Sequence, residues 1–201
     1  AFVAAAYIKE IGRGKEGARD LSRDDAYQLY LAMLENRVSD LEMGAILIAM
    51  RIKGESIEEI AGFLDAGEAH MQRLQVGSDS TYAPIVIPSY NGARKRANLT
   101  PLLAMLLARE GVPVLVHGVC QDPGRVTSAA LFSALQINAL QSIEQAQQQL
   151  MATNLAFVPI QVLAPAMHRI LMMRQILGLR NSTHTLVKIL QPFEQPALRL
   201  T

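Results

Sequence analysis

The sequence predicts an α/β protein with a small all-α N-terminal domain, followed by a parallel-sheet α/β domain with flanking helices that is truncated at the C-terminus. Three observations predict it. Residues 1–75 carry a succession of helix-start signals. From residue 84 onward, strand-like apolar runs alternate with helix-like ones, the pattern of a parallel sheet with helices on its faces. Between the two, Val76 to Tyr82 shifts to Gly, Ser, Asp and Thr, the composition of a linker. The expected division is a helical domain over 1–75 and an α/β domain over 76–201.

In the first part, a helix is expected over Val3 to Ile11, stopping at Gly12-Arg13-Gly14. Ser22 precedes Asp25 and opens Asp24 to Asn36; Ser39 precedes Glu42 and opens Leu41 to Ile52; Ser56 precedes Glu59 and opens Ile57 to Leu74. Each resembles a capping box, in which a hydroxyl accepts from the third amide and the acid reaches back. Asp at the third position makes the first the weakest. Gly54 is the expected stop of the third helix. Leu41, Ala45, Ile46, Ile48, Ala49 and Ile52 recur at helical spacing, which points to burial in the core or against a second subunit.

In the second part, strands are expected at Ile85 to Ile87, Val112 to Val116 and Phe157 to Val162. Helices are expected at Asn98 to Arg109, within Pro123 to Leu135, and at Gln141 to Met151, Pro165 to Leu177 and Ser182 to Leu190. Three strands are few for a buried parallel sheet. The tail from Pro192 to Thr201 has two prolines and no periodicity, so the sheet looks unfinished.

Composition narrows the function. Of 201 residues, half are hydrophobic and none is Trp, which disfavours a reader of single-stranded bases by stacking. The single cysteine, Cys120, allows no intrachain disulfide and shows no partner base. No apolar run reaches the roughly 18 residues that span a bilayer, and residues 1–6 lack the features of a leader. A cytoplasmic protein with no membrane partner is expected. The net charge of +1 hides an asymmetry: residues 1–75 hold nine Lys/Arg against thirteen Asp/Glu, and residues 76–201 hold ten against five. That is either ordinary solvated surface or a basic half that meets polyanions.

Pro88 to Thr100 is the most informative stretch. It leaves a strand and enters a helix start, where unpaired amides and the helix dipole favour anions, and it carries Arg94, Lys95 and Arg96 in succession. These three are a solvated turn or phosphate ligands, and their place beside a helix start favours the second.

Asp20-Leu21-Ser22-Arg23-Asp24-Asp25-Ala26 resembles the opening helix signature of the anthranilate phosphoribosyltransferase and class II nucleoside phosphorylase superfamily. So does the run from Ser39-Asp40-Leu41 through Arg51-Ile52-Lys53-Gly54-Glu55-Ser56 to Glu59-Ile60-Ala61-Gly62. Pro165-Ala166-Met167, Arg174, Leu177-Gly178 and Arg180 match in order and spacing. The resemblance implies a helical domain, a larger α/β domain, a ligand between them and a dimer through the helices. The ligand motifs depart from it. Where the enzymes have Gly-Thr-Gly-Gly-Asp for pyrophosphate, this chain has Ser89-Tyr90-Asn91-Gly92-Ala93. The family's Asn and Ser/Thr survive as Asn98 and Thr100. Its Lys-His-Gly-Asn reads Val116-His117-Gly118-Val119, and its Ser-rich magnesium and phosphate loop reads Asp122-Pro123-Gly124-Arg125. Arg174 matches the arginine that meets the anthranilate carboxylate. Gly12-Arg13-Gly14-Lys15, the loop at Ser89, and Arg180-Asn181-Ser182-Thr183-His184-Thr185 resemble a DNA-binding side branch with no place in tryptophan synthesis.

The expected phosphate ligands are therefore Arg13, Lys15, Asn91, Gly92, Arg94, Lys95, Arg96, Asn98 and Thr100. His117, Arg174, Arg180 and His184 are expected in the cleft. Arg13 and Lys15 are surface charge or a mobile basic arm, and Asn98 and Thr100 are also plain caps. His117 and His184 are hydrogen-bonded structural residues or ligand contacts. No catalytic pair and no metal site is evident. The expected function is a dimeric, largely sequence-independent DNA-binding protein with no cofactor. The alternative is a pentosyl transferase acting on a phosphoribosyl pyrophosphate-like substrate with magnesium.

Overall fold

The computed structural model describes residues 2–14, 16–77, 80–92 and 95–201. Its elements run α1 (Ala4–Ile11), α2 (Arg23–Leu34), α3 (Asp40–Lys53), α4 (Ile57–Ala69), β1 (Ile85–Ser89), α5 (Thr100–Arg109) and β2 (Val114–Gly118). They continue with α6 (Ser128–Ala134), α7 (Ile143–Thr153), β3 (Leu155–Pro159), α8 (Ile160–Leu163), α9 (Pro165–Met172), α10 (Arg174–Leu177), α11 (Thr183–Leu186) and β4 (Leu198–Arg199). They form two compact units, 1–70 with 166–190 and 71–165 with 191–201. The division is not the contiguous one expected at residue 75, because the late helices pack with the early ones.

In the helical unit, the starts are as the sequence implies. Ser39 with Glu42 and Ser56 with Glu59 make reciprocal capping boxes, while Ser22 accepts from the Asp25 amide without the return bond. Gly54 ends α3 at φ 79°, a conformation glycine adopts at little cost. α2 buries Ala26, Leu29, Tyr30 and Met33 at helical spacing and packs against α4. The approach is close: a Cβ on Gly62 would stand 2.2 Å from the Arg23 carbonyl oxygen. The late segment is pinned to this pair. Thr183 Oγ1 and Tyr30 Oη share a buried 2.8 Å hydrogen bond, and Arg169 donates to the carbonyls of Met33 and Leu34, capping the end of α2.

α3 corrects the expected face. Its buried stripe is Met43, Ile46, Leu47 and Met50, while Leu41 and Ile52 are 85% and 62% exposed. Of the six expected apolar positions, Ile46 is the one in the core; the others lie around the helix on its outer side. α4 also stops at Ala69, five residues before Leu74, which belongs to the α/β unit and makes an isolated bridge with Phe193 there.

The α/β unit is a four-stranded parallel sheet in the order β3-β2-β1-β4. One face carries Ile85, Ile87, Val114, Val116, Leu155 and Phe157, packed on Ala104 and Ala108 of α5 and Ala129 and Phe132 of α6. By strand alternation, Val86, Leu115, His117, Ala156 and Val158 line the opposite face. β4 was not foreseen, since two residues show no alternation. β2 is shifted to Val114–Gly118, so His117 lies inside a strand instead of following it. β3 starts at Leu155 because Asn154 takes a left-handed turn at φ 57°, and α6 starts only at Ser128, capped by Thr127.

Candidate functional site

The parallel strands β1 and β2 end together, with Ser89 in register with Gly118. The chain leaving β1 crosses directly over β2: a Cβ on Gly118 would stand 2.0 Å from the Ser89 carbonyl oxygen. It then leans on the loop before α6. A Cβ on Gly92 would stand 2.5 Å from the Val126 carbonyl oxygen, and Arg125 donates to the Gly92 carbonyl at 3.5 Å. Ser89 and Ser128 share a 2.7 Å hydrogen bond, and Asn98 donates to Ser128 Oγ and the Val126 carbonyl. Thus Gly92 is buried against protein, and Asn98 ties two loops together.

The start of α5 departs from the expected amide cradle. The Thr100 amide donates to Asn98 Oδ1 at 3.2 Å, Pro101 has no amide proton, and the Leu103 amide goes to the Leu99 carbonyl. Asn98 precedes the helix instead of belonging to it, and Thr100 is its first residue. A helix start so occupied offers little to an anion through its backbone. Side chains remain. Lys95 and Arg96 are exposed, as is Asn91, while Arg94 and Lys15 lie outside the described residues. Arg125, not singled out from sequence, adds a half-buried cation beside Gly92; its contact lies 33 residues away along the chain, so no local pattern signals it.

His117 is not a lining residue. It is fully buried, and its Nδ1 shares a 2.6 Å hydrogen bond with Tyr90 Oη, with the rings edge to face at 5.4 Å. Burial, and next the charge of Arg199, push His117 down to about 3, so it is neutral at physiological pH. The other ring nitrogen, Nε2, is a buried atom with no hydrogen-bond partner among the described residues. Burial likewise holds Tyr90 well above the usual phenol range. Tyr90 was also missed from sequence, although its parity with Val86 places it on the same face as His117.

The remaining expected residues belong to the helical unit. Arg174 is exposed, Arg180 is half-buried, and His184 is the second residue of α11. Arg13 is no reaching arm: it donates to Glu10 at 2.5 Å and to the Lys9 carbonyl, closing the end of α1. Cys120 is half-buried, and burial raises its thiol.

A resident magnesium does not fit the donors present. Asp122 accepts from the Gly124 amide, and Arg125 brings a positive charge into the same loop. Among the described residues, no group of three or more His, Cys, Asp or Glu could hold a metal. No described helix is long and apolar enough to cross a membrane.

Comparison with known proteins matches this architecture. Residues 5–71 match the helical bundle domain of the glycosyl transferase family. The chain is 50% identical over 195 residues to the uncharacterized protein YbiB of Escherichia coli K12, covering 96% of this chain and 61% of that one. It is 30% identical over 193 residues to anthranilate phosphoribosyltransferase of Persephonella marina, covering 95% of this chain and 54% of the relative. The crystal structure of anthranilate phosphoribosyltransferase from Thermus thermophilus superposes with a TM-score of 0.78 at 25% identity, over 96% of this chain and 57% of that one. The chain thus spans little more than half the length of these relatives. Residues 5–71 are similar to the helical bundle domain of the glycosyl transferase family, and the fold of the chain is that of the matching part of the anthranilate phosphoribosyltransferase structure.

Proposed function

We propose that this chain is a DNA-binding protein on a phosphoribosyltransferase scaffold, gripping the phosphate backbone without reading bases. The observation that carries it is the loop from Ser89 to Thr100. Its glycine is closed against Val126, its helix-start amide is taken by Asn98, Arg125 reaches the Gly92 carbonyl, and Lys95 and Arg96 are exposed. Cations on long solvated side chains suit exchangeable phosphates along a polymer, and such contacts position nucleic acid without conveying sequence. Mobility shift across a salt series tests it. Removing one cation that meets a phosphate should lower the salt slope by about one, so Arg94→Ala/Lys95→Ala/Arg96→Ala should flatten it. No binding at low salt sinks the reading.

The similarity to anthranilate phosphoribosyltransferases favours a second reading, pentosyl transfer from a phosphoribosyl pyrophosphate-like substrate. Here the cationic loop would stabilise a departing pyrophosphate, with magnesium supplied along with the substrate. Saturable heat on titrating phosphoribosyl pyrophosphate with magnesium would favour it over the first.

In either case the partner on the helical unit is a second copy. α1 and α3 border an apolar groove of about 580 Å³, lined by Ile8, Gly44, Ala45, Ile48, Ile52 and Leu177. The small residues allow another helix to approach closely, and Leu41 and Ile52 are already exposed there. Leu41→Glu/Ile52→Glu should shift the species seen by sedimentation velocity from dimer to monomer.

A further inference from the structure

Residues 90–99 hold three Lys/Arg and no Asp/Glu. Cations in succession repel one another, and long side chains lose freedom when a ligand orders them. A run of this kind grips a ligand better when the rest of the fold sets its path.

Both ends of the run are tied to the segment that opens α6. Gly92 abuts the Val126 carbonyl oxygen, so closely that a Cβ would stand 2.5 Å from it. Asn98 donates to that same oxygen at 3.3 Å through Nδ2. The chain leaves Val126 at Gly92 and returns to it at Asn98, with the exposed Lys95 and Arg96 between. Asn98 Nδ2 also donates to Ser128 Oγ at 3.1 Å, and Ser128 Oγ shares a 2.7 Å hydrogen bond with Ser89, the last residue of β1. Ser128 is therefore where the start and the end of the loop meet.

Ser128 is itself held in place. It is buried, and it is the first residue of α6. Its neighbour Thr127 accepts from the Ala130 amide and donates to the Cys120 carbonyl, each at 3.1 Å, which closes the segment between β2 and α6. Its other neighbour, Ala129, belongs with Phe132 to the core packed on the sheet. Asn98 is engaged at both ends of its amide, Nδ2 by Ser128 and Val126 and Oδ1 by the Thr100 amide.

We propose that Ser128 and Asn98 are positioning residues: together they clamp the Arg94-Lys95-Arg96 run in its path before DNA binds, and neither touches a phosphate. The proposal rests on the DNA-binding reading above. It takes Asn98 out of the set of ligands and gives it a different task. A loop fixed at both ends costs less to order on a polyanion, so the clamp acts on affinity without adding a charge contact.

The experiment is fluorescence anisotropy of a labelled duplex titrated across a salt series with the native chain, Ser128→Ala, Asn98→Ser and the double variant, each shown to be folded by circular dichroism. Asn98→Ser keeps an oxygen that can cap the Thr100 amide but is too short to reach Ser128. Each single variant should bind roughly tenfold more weakly, the effect of ordering long side chains only at the moment of binding. The salt slope should stay native, whereas loss of a cation lowers it by about one. The double variant should fall short of the product of the two single losses, because both break one link. Hydrogen exchange should quicken over residues 89–92 and 95–99 while β3 keeps its protection. If Ser128→Ala does not fold, Asn98→Ser carries the test alone. Folded variants with native affinity overturn the clamp and leave the DNA reading standing. A lowered slope makes these residues phosphate contacts and also overturns it, as do strictly multiplicative losses. A native chain that binds no DNA overturns the reading and the clamp together.

Discussion

Tyr90 Oη and Nδ1 of His117 share a 2.6 Å hydrogen bond, joining the segment that leaves β1 to the buried interior of β2. The bond closes one side of the loop, because Tyr90 stands next to Asn91-Gly92. Tyr90→Phe removes the hydroxyl while keeping the ring, and leaves Nδ1 of the buried imidazole unpaired. The expected cost is about 1–3 kcal/mol, read as a lower urea midpoint with an unchanged slope. A variant as stable as the native chain would show that the bond contributes nothing.

His117 should make stability depend on pH. Its folded value, about 3, lies below the unfolded value of 6.5. The unfolded chain therefore binds the proton more readily. The contribution is fully present above pH 6.5 and is lost as pH falls toward 3. The loss is on the order of a few kcal/mol, shared with the titrating carboxylates. His117→Gln removes the histidine's part. Denaturation of both proteins at several pH values should show the variant losing less stability over this window. Parallel curves would refute the assignment.

Gly118→Ala should strain the crossing of β1 over β2. The new methyl would sit 2.0 Å from the Ser89 carbonyl oxygen, a backbone atom with no rotamer to escape into. Overpacking of this kind costs roughly 1–3 kcal/mol. The shift should pass into the loop, so hydrogen exchange over residues 89–92 should speed up. Gly124→Ala is the control, since nothing lies within 4 Å of its added Cβ.

What could be foreseen follows the range of each interaction. Ser39–Glu42 and Ser56–Glu59 span three residues, so their capping boxes are visible in the sequence and present in the fold. The strand and helix alternation after residue 84 is local in the same way. The closure of Gly92 on Val126 joins residues 34 apart, and the pairing of Tyr90 with His117 joins residues 27 apart. Neither leaves a periodic trace. The face of α3 escapes sequence reasoning for a different reason. Apolar residues almost encircle that helix, so composition does not say which stripe is buried. The buried one contains Met43 and Met50. The loop's cations are plain to see, but the use of its helix-start amide by Asn98 is not, because a cap and a ligand contact look alike in sequence.

Lys53 and Glu59 form a buried ion pair whose rupture should destabilise the helical unit. Their side chains are 6% and 0% exposed at a separation of 2.7 Å. Lys53 also donates to Asp20 and to the Gly54 carbonyl, and Glu59 accepts from the amides of Leu21 and Ser56. Burial opposes the Lys53 charge, but the bonds to Asp20 and Glu59 outweigh it and raise the ammonium above its usual value. Lys53→Met leaves the buried Glu59 carboxylate without a counter-charge, at about 3–5 kcal/mol. Glu59→Gln should cost less, because Asp20 still pairs the Lys53 ammonium. The double variant should be milder than the sum, because neither leaves the other's charge stranded. Denaturant unfolding of the four proteins measures the coupling. Strict additivity would mean that the pair is held by its separate backbone contacts, with Glu59 serving chiefly as the cap of α4 and the anchor of the Leu21 amide.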